Sequence, residues 1–507
     1  MRERIRAVSV VAAEPPRFDP TKRRAVLWAL SLVTVLASFE ATVVSTAMPT
    51  IIGDLEGLPL YSWVFAVYLL TTTVTMPLYG RLADLHGRRR ILLISIVLFL
   101  VGAGACAFAQ SMPQLIAARG LQGLGAGGLL PTSLTVTADL YSVRERARVQ
   151  GLFSTLWGAA SLLGPLLGAA LTVNLGWRSI FSINLPLGFL AFVLVRRNLR
   201  ESRAPRSDPF DLPGALSLGI GITCLLFAAL HGTGAAALAP PARVLLLGAG
   251  ACALLVFARI QAAREHPLVP LSLFARPETA APYLCGALLG TTIFGVDTFV
   301  PLFVQGARGG TAATAGAVVT PLMLFWALTS NVAARLVLRK GFRWTARAGA
   351  VVIVAGFAAL LACTRLDAPV SWISAVCALL GCGLGLVGLT QVLAIQETTP
   401  ESVRGVATSL VPFFRAVGGA LGVGGLGGLL SVGLVDRLGP AAESAGRLLA
   451  GVKAAPGDVA IGPLQLRLAL EGALWPVFAV LFVLSLANLF VAGFFPLRAA
   501  EAEVAAR

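Results

Sequence analysis

Two ionisable side chains lie inside long apolar stretches of this 507-residue chain. Glu40 occurs in "LASFEATVVSTAMP", residues 36–49, and Arg119 occurs in "LIAARGLQGLGAGG", residues 115–128. A charged side chain at the centre of a bilayer costs roughly 2.5–3.5 kcal/mol even on mild insertion scales, so both residues are functional candidates. Burial raises the pKa of a carboxylate and a nearby guanidinium lowers it. A carboxylate held between those influences can load and release a proton near neutral pH.

The depth of these two residues in their apolar runs predicts that they meet. At about 1.5 Å per residue, Glu40 lies roughly 22 Å from the inner end of the first run. Arg119 lies roughly 21 Å from the same side of a hydrocarbon core about 30 Å thick. We therefore predict that Glu40 and Arg119 interact, directly or through water, and that Glu40 is a proton site. The alternative is a Glu–Arg pair that only fixes two helices against each other.

The composition indicates an integral membrane protein built from α-helices. Hydrophobic residues make up 57% of the chain and charged residues only 13%, whereas a soluble domain is about 25% charged. The formal net charge of +16 comes from bases in short loops, which favours a membrane protein over a nucleic-acid-binding one. Fourteen apolar stretches are long enough to span a bilayer. They are approximately residues 25–50, 60–80, 91–110, 113–137, 149–173, 179–196, 211–231, 242–261, 280–304, 312–337, 346–364, 370–395, 405–433 and 473–496.

The positions of Arg and Lys predict the orientation of these spans. Bases crowd the N-terminal tail, residues 1–24, and the even-numbered connections, while the alternate loops are nearly bare. Both termini of this multi-pass protein are therefore predicted to be cytoplasmic, in the cell (inner) membrane. Residues 198–210 form a charged cytoplasmic linker, and residues 434–472 form a long extracytoplasmic segment. Its stretch "LQLRLALEGAL" fits either an amphipathic interfacial helix or a simple surface loop.

The loop between the second and third spans carries the strongest motif, "GRLADLHGRRR", residues 80–90. Gly80 and Gly87 permit tight backbone geometry where two helices turn back on each other. Asp84 can attract the positive N-terminal end of a neighbouring helix. Arg88 and Arg89 mark the cytoplasmic side.

This stretch resembles the loop signature of the major facilitator superfamily, G-x-L-a-D-r-x-G-r-[RK], with Leu85 in place of the usual base. The resemblance implies a cytoplasmic gate in which Asp84 holds the outward-facing state. It also implies two six-helix bundles, here residues 25–197 and 280–497, with residues 211–262 as two inserted transmembrane helices. The corresponding loop of the second half, "NVAARLVLRKGFRW", contains no Asp.

Three further stretches extend the resemblance over most of the chain. Arg119, Gln122 and Gly123 match the superfamily's span-4 motif, which implies a role for the Arg in proton transfer. "SLLGPLLGAAL", residues 161–171, is similar to the antiporter motif that marks exporters, through Gly164, Pro165 and Gly168. "FEATVVSTAMP" resembles the span-1 signature of the fourteen-span drug:proton antiporters, with Glu40 where that family has Asp.

Other polar or aromatic residues within the spans are candidates for a substrate or proton cavity. Asp297 is a second proton site, an anchor for cationic substrates, or a polar cap near the outer mouth. Arg415 has either a cavity role or a helix-packing role. Asp139 is expected to contact the nearby Arg144, Arg146 or Arg148. The candidate cavity set is Asp297, Arg415, Gln122, Gln391 and Phe414.

These observations favour a proton-coupled secondary transporter that exports hydrophobic or amphipathic compounds by alternating access, with cationic compounds as one option. A lipid or lipophile exporter of the same fold is the alternative. The chain contains no HExxH, GxSxG or Walker pattern, so we do not expect an enzyme. His and Cys residues show no metal-ligand spacing, and neither a metal nor a cofactor is expected because the proton gradient supplies the drive. The expected partners are small hydrophobic substrates, protons and the lipid bilayer, with no nucleic acid and a monomeric state.

Overall fold

The computed structural model describes residues 19–55, 60–201, 209–230, 239–366, 368–441 and 462–497. Within those ranges every extended regular element is a helix, as predicted. The helices are α1 (Pro20–Leu55), α2 (Tyr61–His86), α3 (Arg88–Ala107), α4 (Met112–Leu140), α5 (Val143–Leu175), α6 (Ser179–Ser182), α7 (Asn184–Asn198), α8 (Leu212–Leu230), α9 (Pro240–Ala263), α10 (Ser272–Ala275), α11 (Pro277–Leu302), α12 (Ala312–Lys340), α13 (Phe342–Arg365), α14 (Val370–Thr398), α15 (Arg404–Leu438) and α16 (Pro463–Ala492).

The long helices coincide with the predicted spans. Each of the fourteen predicted stretches falls on one long helix, with α6 and α7 together forming the sixth. Among the described residues, twelve helices are long and apolar enough to cross a membrane, and the bent helix α5 brings the number to thirteen. Helix α4 is not among them, although its 29 residues extend for about 43 Å. Arg119 and several other polar residues lower the hydropathy of α4.

Helices α1–α7 and α11–α16 form two halves that are built alike. In the first half α4 packs against α2 and α3, and in the second half α14 packs against α12 and α13. Three glycines at alternate positions permit this packing in each half, and they have the same register in both helices. In α4 they are Gly123, Gly125 and Gly127, and in α14 they are Gly381, Gly383 and Gly385.

The two halves meet through α2 against α15 and through α5 against α12. We call the end of the molecule that carries the turn at Gly87 the Gly87 end, and the opposite end, which carries Trp177, the Trp177 end. Among the described residues, the hydrogen bonds and ion pairs that join the halves lie in the part nearer to the Gly87 end. The halves are therefore joined at one end.

The inserted pair α8–α9 lies beside the seam between the two halves. One stripe of α8, at helical spacing, is buried against residues of α2 and α15. Helix α9 packs on α8, where Gly221 and Gly250 allow close approach, and its remaining surface is largely exposed. The buried stripe consists of Ala215, Leu218, Ile222 and Leu226.

The structure corrects the predicted bounds of the 434–472 segment. Helix α15 continues to Leu438, and α16 begins at Pro463. The stretch "LQLRLALEGAL" therefore forms the first turns of α16 and is neither a separate interfacial helix nor a loop. The charges that made it look like a surface segment are paired, since Arg467 bonds Glu471 one turn later. Residues 442–461 and the tail residues 1–18 lie outside the described residues.

Candidate functional site

Glu40 of α1 and Arg119 of α4 form a buried ion pair, as their depths predicted. Arg119 Nη1 donates a hydrogen bond to Glu40 Oε1 and another, of 2.8 Å, to Gln122 Oε1. Arg119 Nε donates to the carbonyl oxygen of Val64 in α2 at 3.3 Å. Asn184 Nδ2, at the start of α7, donates to Glu40 Oε2 at 2.9 Å. Glu40 is 3% exposed and Arg119 is 1% exposed, so four helices enclose the pair.

Two aromatic rings cover the guanidinium of Arg119. The ring centroid of Tyr68 lies 4.0 Å from Arg119 Cζ, and that of Phe181 lies 6.0 Å from it. An aromatic face attracts a cation, and the attraction is stronger where water is excluded. Tyr68 reaches this position because Gly123 has no side chain to hold α2 away from α4. The cation is thus held by a carboxylate, two oxygen acceptors and an aromatic face.

The carboxylate of Glu40 accepts hydrogen bonds from both of its described partners, Arg119 and Asn184. The buried amide oxygen Oδ1 of Asn184 has no hydrogen-bond partner among the described residues. Sequence reasoning missed Asn184, whose signal is an amide in an apolar run.

Asp84 lies at the N-terminus of α15, as the motif predicted. Its Oδ1 and Oδ2 accept hydrogen bonds from the backbone N–H groups of Gly405 and Val406, both at 2.9 Å. These donors have no partner inside the helix, and the helix dipole favours a negative charge there. Gly80, one turn earlier, lies so close to α15 that an added Cβ would overlap Ser409. Asp84 therefore joins the first half to the second at the Gly87 end.

The charged residues around the Gly87 turn extend this connection. Gly87 has a backbone φ of 93°, which favours glycine. Arg88 pairs with Asp84 at 3.0 Å, and its backbone N–H donates to Glu201 at 2.9 Å. Arg89 donates to the carbonyl oxygen of Arg196 at 2.7 Å. The loop is thus held by the last turn of α7, through Arg196, and by Glu201 of the 198–210 linker.

The prediction for Asp139 was wrong about its partners. Asp139 pairs with Arg88 of α3 at 2.5 Å and with Arg404 of α15 at 3.7 Å. Arg146, one of the arginines near it in sequence, pairs instead with Glu397 of α14 at 3.5 Å. Proximity in sequence did not predict the partners of Asp139 because Asp139 lies on α4, whereas Arg144, Arg146 and Arg148 lie on α5, which begins after the turn at Ser142.

The antiporter-like motif lies at a bend of α5. The parts of α5 before and after Ser161 differ in direction by 42°, and Pro165 lacks the N–H that would bond the carbonyl of Ser161. Gly164 and Gly168 face α1, where an added Cβ would overlap the hydroxyl groups of Thr42 and Thr46. The motif thus fits α5 closely against the helix that carries Glu40.

The candidate residues of the second half do not form one cluster. Arg415 Nη2 donates to Gln391 Oε1 at 3.2 Å, and Gln391 Nε2 donates to the carbonyl oxygen of Pro282 at 2.6 Å. Phe414 packs in an aromatic cluster with Phe274, Tyr283 and Phe413. Asp297 lies on α11, apart from both groups and partly exposed. Within the described residues, no group of three potential ligands could hold a metal ion.

Comparison with known proteins assigns the fold and the family. The family model described as Major Facilitator Superfamily matches residues 30–423. The chain belongs to the major facilitator superfamily. The match covers the ion pair of Glu40 and Arg119, the contact of Asp84 with α15 and the bend of α5. The protein is therefore a membrane transporter of this superfamily, as the motif resemblance indicated.

Several relatives in the superfamily are similar over most of their length. The chain is 33% identical over 430 residues to the multidrug transporter protein MdtP of Bacillus subtilis, covering 84% of this chain and 79% of that one. It is 31% identical over 401 residues to multidrug resistance protein 3 of Bacillus subtilis, covering 78% of each. It is 30% identical over 427 residues to the efflux pump FUS6 of Gibberella fujikuroi, covering 80% of this chain and 76% of that one.

A solved structure supports the fold alone. The crystal structure of the human organic anion transporter MFSD10 (TETRAN) superposes with a TM-score of 0.62 at 15% identity, covering 94% of this chain and all of that one. The present structure thus shares its overall fold with that transporter.

Proposed function

We propose that this transporter exports hydrophobic or amphipathic compounds in exchange for protons, with Glu40 as the group that carries the proton. The names of its relatives, two multidrug proteins and an efflux pump, support the substrate class and the direction. The observation that carries the proposal is the buried carboxylate of Glu40. It is hydrogen-bonded to the guanidinium of Arg119 and to the side-chain amide of Asn184, which can rotate to present its oxygen in place of its nitrogen.

A proton on Glu40 changes the bonds that its carboxylate makes to Arg119 and Asn184. The added proton neutralises the carboxylate and removes the ion pair with Arg119. Arg119 keeps its bonds to Gln122 and to the carbonyl oxygen of Val64. The amide of Asn184 can turn, so that its unused Oδ1 accepts the new O–H of Glu40. The protonated site then contains an unneutralised cation, which favours a different arrangement of α1 and α4.

The contacts at the Gly87 end fit one state of an alternating-access cycle. The two halves are joined there by Asp84 on α15, by Arg404 with Asp139, and by Arg146 with Glu397. The distribution of Arg and Lys supports a cytoplasmic Gly87 end, with both termini cytoplasmic and the protein in the cell membrane. In the proposed cycle this state is closed to the cytoplasm, and rocking of the halves opens it. We further propose that the protein works as a monomer, without a cofactor.

Proton flux in liposomes tests this function directly. Purified protein is reconstituted with a pH-sensitive dye inside, a proton gradient is imposed, and lipophilic cations and neutral amphiphiles are added. We expect substrate-triggered proton flux that is lost in Glu40→Gln. The matched variant Glu40→Asp keeps a carboxylate and is expected to keep the flux, and Asp436→Asn, on the exposed end of α15, serves as the surface control.

Full gradient-driven efflux in Glu40→Gln would reject Glu40 as the proton carrier. The absence of flux with every compound, together with measured lipid movement in the same liposomes, would contradict drug export and support the lipid exporter.

A further inference from the structure

The second half contains a carboxylate at the position that Glu40 has in the first half. Glu40 is the twenty-first residue of α1, which begins at Pro20, and Asp297 is the twenty-first residue of α11, which begins at Pro277. The two helices open their respective halves and run in the same direction. At about 1.5 Å per residue, Glu40 and Asp297 therefore lie at the same height in the molecule.

The second half has no arginine at the position that matches Arg119, the residue that pairs with Glu40 in the first half. Arg119 precedes the first glycine of α4, Gly123, by four residues, and Cys377 precedes the matching Gly381 of α14 by the same interval. Cys377 therefore occupies the place of Arg119. The guanidinium that pairs with the carboxylate of the first half is thus replaced in the second half by a small neutral side chain.

The aromatic cover of the cation is missing as well. Gly123 lies against the backbone oxygen of Tyr68, and the matching Gly381 lies against that of Leu322. Leu322 therefore stands where Tyr68 covers Arg119. The second half has lost the guanidinium and its aromatic partner together, while keeping the carboxylate.

Asp297 is left without a partner of its own. Among the described residues no hydrogen bond or ion pair reaches its carboxylate, which is partly exposed, whereas Glu40 is nearly fully buried. Arg415 does not neutralise it, because its guanidinium points to Gln391, which is bonded to Pro282. Pro282 lies fifteen residues before Asp297, roughly 22 Å away along α11.

We propose that Asp297 binds the positive group of the substrate, so that the transporter carries lipophilic monovalent cations such as phosphonium and quaternary ammonium compounds. An unpaired carboxylate within a membrane-spanning helix is costly unless a cation offsets its charge. The single carboxylate matches a single positive charge. Phe294, one turn earlier on α11 and partly exposed, supplies an aromatic surface of the kind that binds such cations. This inference rests on the proposed export function.

Equilibrium binding to the purified full-length protein tests the inference without a proton gradient. The probes are tetraphenylphosphonium and the uncharged triphenylphosphine oxide, which resemble each other in shape. We expect Asp297→Asn to raise the Kd for the phosphonium at least tenfold relative to its effect on the oxide. Asp297→Glu, which keeps the charge, is expected to stay within about threefold of the wild type.

A second variant restores the pair of the first half. In Cys377→Arg the new guanidinium is expected to neutralise Asp297 and to raise the Kd for the phosphonium at least tenfold. The double variant Cys377→Arg with Asp297→Asn leaves the new guanidinium without a carboxylate and is expected to bind the phosphonium more weakly than either single variant.

The outcomes separate this inference from the proposed function. Equal losses for both probes, or no loss for the phosphonium in Asp297→Asn, would overturn the cation site. Proton flux with the uncharged probe that vanishes in Asp297→Asn would make Asp297 a proton carrier and would also overturn it. Proton coupling that survives in Glu40→Gln would reject the proposed function and leave the binding result unaffected.

Discussion

The two halves of this transporter share one frame and differ in their charges. Glycines at matching positions set the packing of α4 and α14, and the positive-φ glycines Gly87 and Gly341 end α2 and α12. On this frame the first half carries Arg119 and Asp84, and the second half carries Cys377 and Leu338 at the matching places. Small residues at matching positions thus give both halves the same helix packing, while a few charged residues make the halves different in function.

The buried residues Glu40 and Arg119 of the first half pair with each other, whereas Asp297 and Arg415 of the second half do not. Glu40 and Arg119 satisfy each other with help from Asn184 and Gln122. Asp297 and Arg415 have no opposite charge bound to them among the described residues. In our account the first half therefore handles protons, and the second half handles the substrate.

Removal of Arg119 is expected to have the largest effect on stability. Arg119→Leu leaves the Glu40 carboxylate buried without its cation, which typically costs about 3–5 kcal/mol of unfolding free energy. Arg415→Leu removes one hydrogen bond to Gln391 and the contact with the Trp326 ring but leaves no carboxylate without its cation, so its change is expected to be smaller, about 1.5–3 kcal/mol. Unfolding of both variants in the same detergent measures the difference. Equal destabilisation by both variants would break the contrast between the halves.

Loss of the Asp84 carboxylate is expected to loosen the Gly87 end. Asp84→Asn removes a charge that accepts two hydrogen bonds at the start of α15, and such bonds to a charged group contribute about 1.5–3 kcal/mol each. We expect Ser409→Cys, which is buried between α2 and α15, to react at least several-fold faster with a water-soluble maleimide when combined with Asp84→Asn.

The matching position of the second half supplies the control for this prediction. Leu338→Asn changes the equivalent site, where no carboxylate holds a neighbouring helix, and is expected to leave the labelling rate of Ser409→Cys unchanged. An equal increase in both backgrounds would show that the two loops do not differ in holding the halves together.

The smallest predicted effect concerns Asp54 near the Trp177 end. Hydrogen bonds from Trp177 and Arg178 hold the pKa of Asp54 below its usual value. A carboxylate with a lowered folded-state pKa stabilises the protein above its unfolded pKa and loses that effect as the pH falls through the folded value. Asp54→Asn should therefore lower the Tm slightly near neutral pH, and the difference should shrink as the pH falls below about 4 and vanish below the folded-state pKa. A Tm difference that is independent of pH would contradict this.

The lengths of the apolar stretches predicted the helices. Counting residues along two of these stretches placed Glu40 and Arg119 at equal depth in the membrane, and the structure shows them as an ion pair. Depth does not give the rotation of a helix, so Asn184 and the free state of Asp297 could not be predicted. Long-range contacts such as Glu201 on the backbone of Arg88 also carry no local signal.

Predictions made from charged residues in the sequence were wrong where those residues form ion pairs within the folded protein. Arg467 and Glu471 made the start of α16 look like a surface segment, yet they pair within the helix. Asp139 was assigned to arginines near it in sequence, whereas the packing of α3 and α15 brings Arg88 and Arg404 to it. Tertiary contacts decide such pairs, and they require the whole bundle.

Infrared difference spectroscopy gives the most direct test of where the proton resides. The carbonyl stretch of a protonated carboxylic acid is recorded in reconstituted protein as the pH is lowered, for the wild type, Glu40→Gln and Asp297→Asn. Our account predicts a band that is absent in Glu40→Gln and present in Asp297→Asn. A band that persists in Glu40→Gln and vanishes in Asp297→Asn would place the transported proton in the second half and contradict the division of roles.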